Sequence, residues 1–165
     1  MLSLIDEANR HKPSQRITAE TRWSMFRILH AKVSALLEED DLHFDFCKTD
    51  SGKNCSNTYD TNIMGRFECP NVACTSAGWP SKKIAITIRM YPGARYNARV
   101  YHQRCKKCKS LGRPYLDSSY EERVAYRLKK WCGIEQDQPS FHGRSKGPHQ
   151  RELCEGCRDG HCNQL

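Results

Sequence analysis

The chain has 165 residues, a formal net charge of +8 and a hydrophobic fraction of 38%, with a mean hydropathy of −0.80. That length holds one domain, or one domain with an arm, and so polar a composition excludes a large apolar core and requires cross-links to hold a fold. No apolar run approaches the roughly 18 residues of a membrane span, and Met1 to Lys12 lack the basic and apolar regions of a secretory signal. A cytoplasmic or nuclear setting is therefore expected, in which ten cysteines point to metal rather than to disulfides.

In chain order, residues 1–17 are polar, contain Pro13 and read as a loose arm. From Thr18 the pattern becomes helical. Trp23, Phe26, Leu29, Val33, Leu36 and Leu37 recur at three- and four-residue steps, which predicts an amphipathic helix over 18–38 with Thr18 as its N-cap. The acidic run from Glu38 to Asp41 opposes the helix dipole, so that end is expected to fray. Residues 44–63 are rich in Asp, Asn and Ser and read as a loop. Its cysteines, Cys47 and Cys55, fit no common metal-ligand spacing and read as ordinary thiols. Arm, helix and loop thus make up residues 1–63, ahead of an organised domain over 64–165.

Within that domain Ile84, Ile86 and Ile88 alternate with Ala85, Thr87 and Arg89, and Ala98, Val100 and His102 alternate with Arg99 and Tyr101. Pro92-Gly93 between the two runs is a turn signal, so the segments 81–91 and 94–104 are predicted to form an antiparallel hairpin. Ser118-Ser119-Tyr120-Glu121 has the form of a capping box. The helix it opens carries Tyr120, Val124, Leu128 and Trp131 on one face. Residues 133–147 have no periodicity and read as a connection.

The close cysteine pairs carry the chemistry. Cys69/Cys74, Cys105/Cys108 and Cys154/Cys157 are each separated by two to four residues, a gap that lets both sulfurs of a tight turn reach one tetrahedral zinc at about 2.3 Å. Three pairs give six ligands, and two closed zinc sites need eight. Cys132 at the end of the amphipathic helix and His149 before Cys154 complete the set, with Cys162 as a rival to either. The hairpin brings its two ends together, so Cys69 and Cys74 are expected to share an ion with Cys105 and Cys108, in zinc-ribbon form. The second site is then Cys132, His149, Cys154 and Cys157, with a cross-braced pairing as the alternative. The remaining histidines His11, His30, His43, His102 and His142 read as solvent-facing or hydrogen-bonded, and His161 lies inside the terminal knuckle. The expected fold is α+β: a small zinc-stabilised domain with a zinc-ribbon-like antiparallel β-hairpin, one amphipathic helix and a C-terminal zinc knuckle, preceded by an N-terminal helix.

At these residues the chain resembles the three-CxxC zinc-finger family, which includes receptor-transporting proteins, zygote arrest proteins and short fungal members. The landmarks are Phe67-x-Cys69, Cys74 followed by Trp79 and Ser81, Val100-Tyr101-x-Gln103-x-Cys105-x-x-Cys108, Trp131-Cys132, and His149 followed by Cys154-Glu155-x-Cys157-x-x-Gly160-x-Cys162. The first pair departs from the family pattern, with four intervening residues instead of the usual two. Nothing after Cys162 resembles the membrane anchor of some receptor-transporting proteins, so the short fungal members are closest in form.

Between Pro92 and Leu116 lie Arg95, Arg99, Arg104, Lys106, Lys107, Lys109 and Arg113, interleaved with Tyr96, Tyr101 and Tyr115 and with no acidic residue. Basic groups neutralise phosphates and aromatic faces stack on bases, so this strip predicts RNA binding. The resemblance to zygote arrest proteins implies RNA association, and that to receptor-transporting proteins implies a protein-binding adaptor or chaperone-like module. No enzymatic activity is expected. The chain lacks the His/Cys-x-Glu element of zinc deaminases, its eight ligands leave no open coordination position, and Cys105-Lys-Lys-Cys108 lacks the βαβ setting of a redox CxxC.

Overall fold

The isoleucine alternation places the centre of the fold. In the computed structural model, which describes residues 22–50, 52–139 and 149–162, Ile84, Ile86 and Ile88 point to one face of strand β4 (Trp79–Tyr91) and are fully buried. Among the described residues the strands are β1 (Trp23–Ser24), β2 (Asp45–Phe46), β3 (Asn57–Glu68), β4, β5 (Arg95–Tyr101) and β6 (Arg113–Leu116). They form one sheet in the order β1-β5-β4-β3-β6, with β2 pairing parallel to β5. The predicted hairpin is β4–β5, in register from Tyr91↔Arg95 to Ile86↔Val100. Helices α1 (His30–Glu38) and α2 (Ser119–Trp131) and the short α3 (Glu155–Arg158) complete the fold.

The two faces of the sheet carry different cargo. Side chains alternate along a strand, so Ile63 and Phe67 of β3, Ile84, Ile86 and Ile88 of β4, and Ala98 and Val100 of β5 share one face. That face, with Tyr120, Val124 and Leu128 of α2 and Val33 and Leu37 of α1, makes the apolar core. The opposite face presents Asp60, Asn62, Ala85, Thr87, Arg99 and Tyr101. Here Thr87 donates to Asp60 Oδ1 at 2.6 Å and lies 3.1 Å from the Tyr101 hydroxyl. The short C-terminal helix α3 packs on this second face.

Four expectations are corrected. Within the described part of the helix predicted over 18–38, the α-helix begins at His30; Arg27–Leu29 is a 3₁₀ turn and Trp23–Ser24 is a strand, while Thr18 and the rest of 18–21 lie outside the described residues. Trp23 leaves the helical pattern because β5 offers it a better partner. It pairs with Tyr101, and the Arg99 guanidinium sits 4.4 Å above its ring, a cation–π contact. The segment 44–63, expected as a loop, supplies β2 and most of the 12-residue β3. Tyr59, Thr61 and Ile63 lie opposite Ile88, Ile86 and Ile84, and this pairing overrides the poor strand preference of Asn57, Asp60 and Asn62.

The acidic run after α1 closes rather than frays. Leu42 N–H donates back to the Leu37 carbonyl at 3.0 Å, and Asp40 and Glu39 face the buried Lys129 ammonium of α2 at 2.7 and 3.7 Å. The fourth correction is the capping box. Ser118 caps nothing with its side chain; the Asp117 carboxylate instead accepts from the Ser119 N–H at 2.8 Å. Ser119 turns inward and its hydroxyl accepts from Met64 N–H at 2.7 Å, fastening α2 to β3. An acidic side chain at the start of a helix suits the dipole equally well.

Candidate metal centres

Each strand connection at one end of the sheet is a cysteine turn. The β3–β4 connection carries Cys69 and Cys74, and the β5–β6 connection carries Cys105 and Cys108. Because β4 and β5 are paired neighbours, the two turns meet, as the matched hairpin predicts. The Cys69 and Cys108 sulfurs lie 3.4 Å apart, those of Cys74 and Cys105 lie 3.9 Å apart, and all four fall within 4.8 Å of one another. A tetrahedron with Zn–S bonds of about 2.3 Å has sulfurs about 3.8 Å apart, so these four fit one zinc ion.

Local backbone chemistry shapes both turns. In the longer first turn the Asn71 side chain accepts from Ala73 N–H at 3.1 Å and its carbonyl accepts from Cys74 N–H at 3.0 Å, an Asx arrangement that takes up the extra residues. In the second turn Cys105 N–H donates to the Ser110 carbonyl and Lys109 N–H to the Cys105 carbonyl, each at 2.8 Å. Lys109 closes that turn with a left-handed φ of 62°. Ser76 N–H points at the Cys74 sulfur at 3.5 Å.

The second cluster is His149, Cys154, Cys157 and Cys162, again with ligand atoms within 4.8 Å. His149 Nε2 lies 3.3 Å from Cys157 Sγ and 3.6 Å from Cys162 Sγ, close to the roughly 3.6 Å expected across one zinc from its usual bond lengths. Cys132 is not part of it. Among the described residues Cys132 caps the exposed end of α2, and α2 lies on the apolar face of the sheet. The cluster lies beyond the other face, where α3 is so close that a Cβ on Gly156 would meet Ala85 Cβ at 2.5 Å. With the sheet between them, Cys132 and Cys154 cannot share an ion, and Cys162 is the fourth ligand. Cys132→Ser is accordingly expected to retain two zinc ions per chain by elemental analysis, whereas Cys162→Ser retains one firmly held. Equal zinc loss in both variants would contradict this ligand set.

The thiols in each cluster divide the labour of ionisation. Hydrogen bonding from Ser110 draws Cys108 down to about 6, while burial, reinforced by its neighbouring thiols, pushes Cys69 up to about 12. In the second cluster a hydrogen bond from Cys162 pulls Cys154 down to about 4 and pushes Cys162 up. One sulfur releases its proton easily and its neighbour keeps it; a dication is what lets all of them ionise together. Four side chains close each shell, the form of a structural zinc site.

The basic strip is divided by the fold. Arg99 is turned to Asp50, which also takes Arg89 at 2.6 Å. Tyr101 is fully buried, and Arg104 donates to the buried Glu155 carboxylate at 2.7 Å. These three serve the interior. Arg95 is exposed but lies at the β4–β5 turn, the end of the hairpin away from the cysteines. Lys106, Lys107, Lys109 and Arg113 remain exposed around the first cluster. Arg66, outside the predicted strip, joins them: it pairs with Tyr115 and neighbours the Glu68–Arg113 pair. Its only sequence signal is its alternation with the buried Phe67.

The other candidates settle simply. His30 bonds the Tyr96 hydroxyl at 2.8 Å and His102 bonds Ser24 at 2.6 Å, and burial lowers His102 to about 4. His43 sits on the surface near Asp41, and His11 and His142 lie outside the described residues. His161 stacks on Tyr101 and bonds Asp60 at 3.0 Å, and the ligand cluster leaves it out. Cys47 and Cys55 donate to the backbone carbonyls of Thr49 and Gly52. Gln103, a landmark of the resemblance to which the sequence assigned no role, accepts from Trp79 Nε1 at 3.2 Å and donates to Ser81 and Lys83, tying the first cluster to the start of β4.

Among the described residues no helix is long and apolar enough to cross a membrane. Comparison with curated proteins and with solved structures gives no match. The family model described as a zinc-binding domain of the 3CxxC zinc-ribbon type matches residues 62–160, a span that holds the four-cysteine cluster and three ligands of the second, with Cys162 two residues beyond it, and the chain belongs to that family.

Proposed function

We propose that this zinc-binding module binds single-stranded RNA through the exposed face of β6 and the adjoining cysteine turn. The observation that carries the reading is Tyr115, 46% exposed on a strand at the edge of the sheet, with Arg66 directly across and Arg113 two residues away on the same face. An exposed tyrosine between two guanidinium groups suits an unpaired base and its flanking phosphates. Lys106, Lys107 and Lys109 extend the positive charge along the turn, and Glu68, which accepts from the Tyr115 hydroxyl at 3.0 Å, is the acidic group within the patch. The zinc ions hold the surface in shape, and with both shells closed they bind rather than catalyse.

Reversing Lys106, Lys107 and Lys109 to Glu is expected to flatten the salt dependence of single-stranded RNA binding by a slope of about 2, at roughly 0.7 per phosphate contact. Tyr115→Ala is expected to cost about 1–3 kcal/mol of affinity with little change in slope. Unchanged affinity and slope in both variants would remove the RNA reading. An adaptor role draws support from Val72, 89% exposed in the first cysteine turn. It predicts protein partners that survive nuclease treatment and are lost on Val72→Asp.

A further inference from the structure

The strongest unexplained feature is a carboxylate with no exposed surface. Glu155 stands between the ligands Cys154 and Cys157, and its side chain is 0% exposed. Its Oε1 accepts from Arg104 Nε at 2.7 Å and lies 3.4 Å from Arg158, while Oε2 is 3.6 Å from Arg22. Burying a carboxylate so completely costs several kcal/mol unless cations meet it. The residue therefore defines an internal site with specific partners.

Those partners lead from one metal centre to the other. Arg104 immediately precedes the first-site ligand Cys105, and its Nη1 donates to the Lys109 carbonyl at 2.9 Å. Lys109 is the left-handed residue whose N–H closes the Cys105–Cys108 turn. One guanidinium thus spans from the turn of the four-cysteine site to the carboxylate inside the second site. The backbone follows the same route. Arg104 N–H donates to the Leu153 carbonyl at 2.7 Å and Glu155 N–H to the His102 carbonyl at 3.1 Å, with Gln103 and Cys154 paired as an antiparallel bridge.

We propose that the Glu155–Arg104 ion pair couples the two zinc sites, so that metal at either site raises the affinity of the other. Zinc in the second cluster folds residues 154–162 against the sheet and carries Glu155 into place. Glu155 fixes Arg104, and Arg104 holds the turn that presents Cys105 and Cys108. The linkage is reciprocal by thermodynamic necessity. Glu155 is a positioning residue here: it reaches the four-cysteine site through Arg104 and binds no metal itself.

The test uses the full chain and reads metal affinity at the four-cysteine site, with Co(II) as the probe. The visible ligand-field bands of a four-sulfur site differ from those of a site with a histidine, so each site is followed separately. Cys162→Ser, which cripples the second site, is expected to weaken Co(II) binding at the four-cysteine site about tenfold, within the usual range of coupling between sites. In a Glu155→Gln background the same substitution is expected to change that affinity by less than about twofold. An undiminished effect of Cys162→Ser in the Glu155→Gln background overturns the proposal, as does the absence of any effect in the otherwise wild-type chain. Should Glu155→Gln fail to fold, Arg104→Gln, at a side chain that keeps 14% exposure where Glu155 has none, carries the test alone. It must also uncouple the sites, and coupling that persists in it overturns the proposal.

Discussion

Withdrawing zinc from the native chain with a strong chelator is expected to abolish its cooperative unfolding transition, and elemental analysis before treatment is expected to give two zinc ions per chain. The argument is one of magnitude. Structural zinc sites contribute about 10–16 kcal/mol each in small domains, whereas the whole net stability of a domain is about 5–15 kcal/mol. Each centre here also fixes chain that contributes nothing to the apolar core, the cysteine turns at one end of the sheet and the short helix on its second face. The core lies between the helices and one face of β3, β4 and β5, while the four-cysteine turns join β3 to β4 and β5 to β6 at one end. The second cluster holds α3 against the opposite face. Circular dichroism and thermal denaturation with and without chelator measure the effect. An unchanged melting transition after both metals have left would show that the core suffices, and the structural role assigned to zinc would fall.

Asp50→Ala is expected to destabilise the zinc-loaded protein by about 3–5 kcal/mol, the usual cost of leaving buried charge without its partner. Asp50 is 7% exposed and meets two arginines, Arg89 of β4 at 12% and Arg99 of β5 at 22%. The Asp50 carboxylate is the acidic group paired with both. Its removal leaves two cations facing each other across adjacent strands, in register at Thr87↔Arg99 and Arg89↔Asn97, and it frees the guanidinium that rests on Trp23. The chain that carries Asp50 also runs beside Asn97, whose amide donates to the Cys47 and Thr49 carbonyls at 3.2 Å, so the β2–β3 connection is expected to loosen as well. Asp50→Asn, which keeps an acceptor oxygen and loses the charge, is expected to fall between wild type and Asp50→Ala. Urea denaturation at saturating zinc measures both variants, and a loss below about 1 kcal/mol for Asp50→Ala would mean that water reaches these arginines freely.

The two variants also bear on how the surface reads. Arg99 and Arg104 look like phosphate ligands in the sequence because a run without acidic residues leaves them no nearby partner. Their partners are distant in the chain: Asp50 lies 49 residues before Arg99 and Glu155 lies 51 residues after Arg104. A basic strip read along one segment counts such residues as free. Of the exposed remainder, Lys106, Lys107, Lys109 and Arg113 sit on a turn and at an edge strand, where among the described residues Glu68 beside Tyr115 is the carboxylate in the patch.

What depends on short spacing is legible in the residues alone. The cysteine pairs make metal turns because two or four intervening residues are a local geometry. Ile84, Ile86 and Ile88 make a strand, and Tyr120, Val124 and Leu128 a helix face, because those periods belong to backbones of a few turns. The cysteine pairs and the hairpin together pointed to Cys69, Cys74, Cys105 and Cys108 as one site, with a cross-braced pairing as the alternative that the structure removes. The rest is set, in each case, by a contact between distant segments. Asn57–Glu68 is a strand because β4 pairs with it, although its polar residues favour loops. Trp23 leaves the helix because Tyr101 and Arg99 are there to receive it. Cys162 displaces Cys132 from the second site because a six-stranded sheet stands between α2 and α3, and which face of a sheet an element covers is not written in its own periodicity.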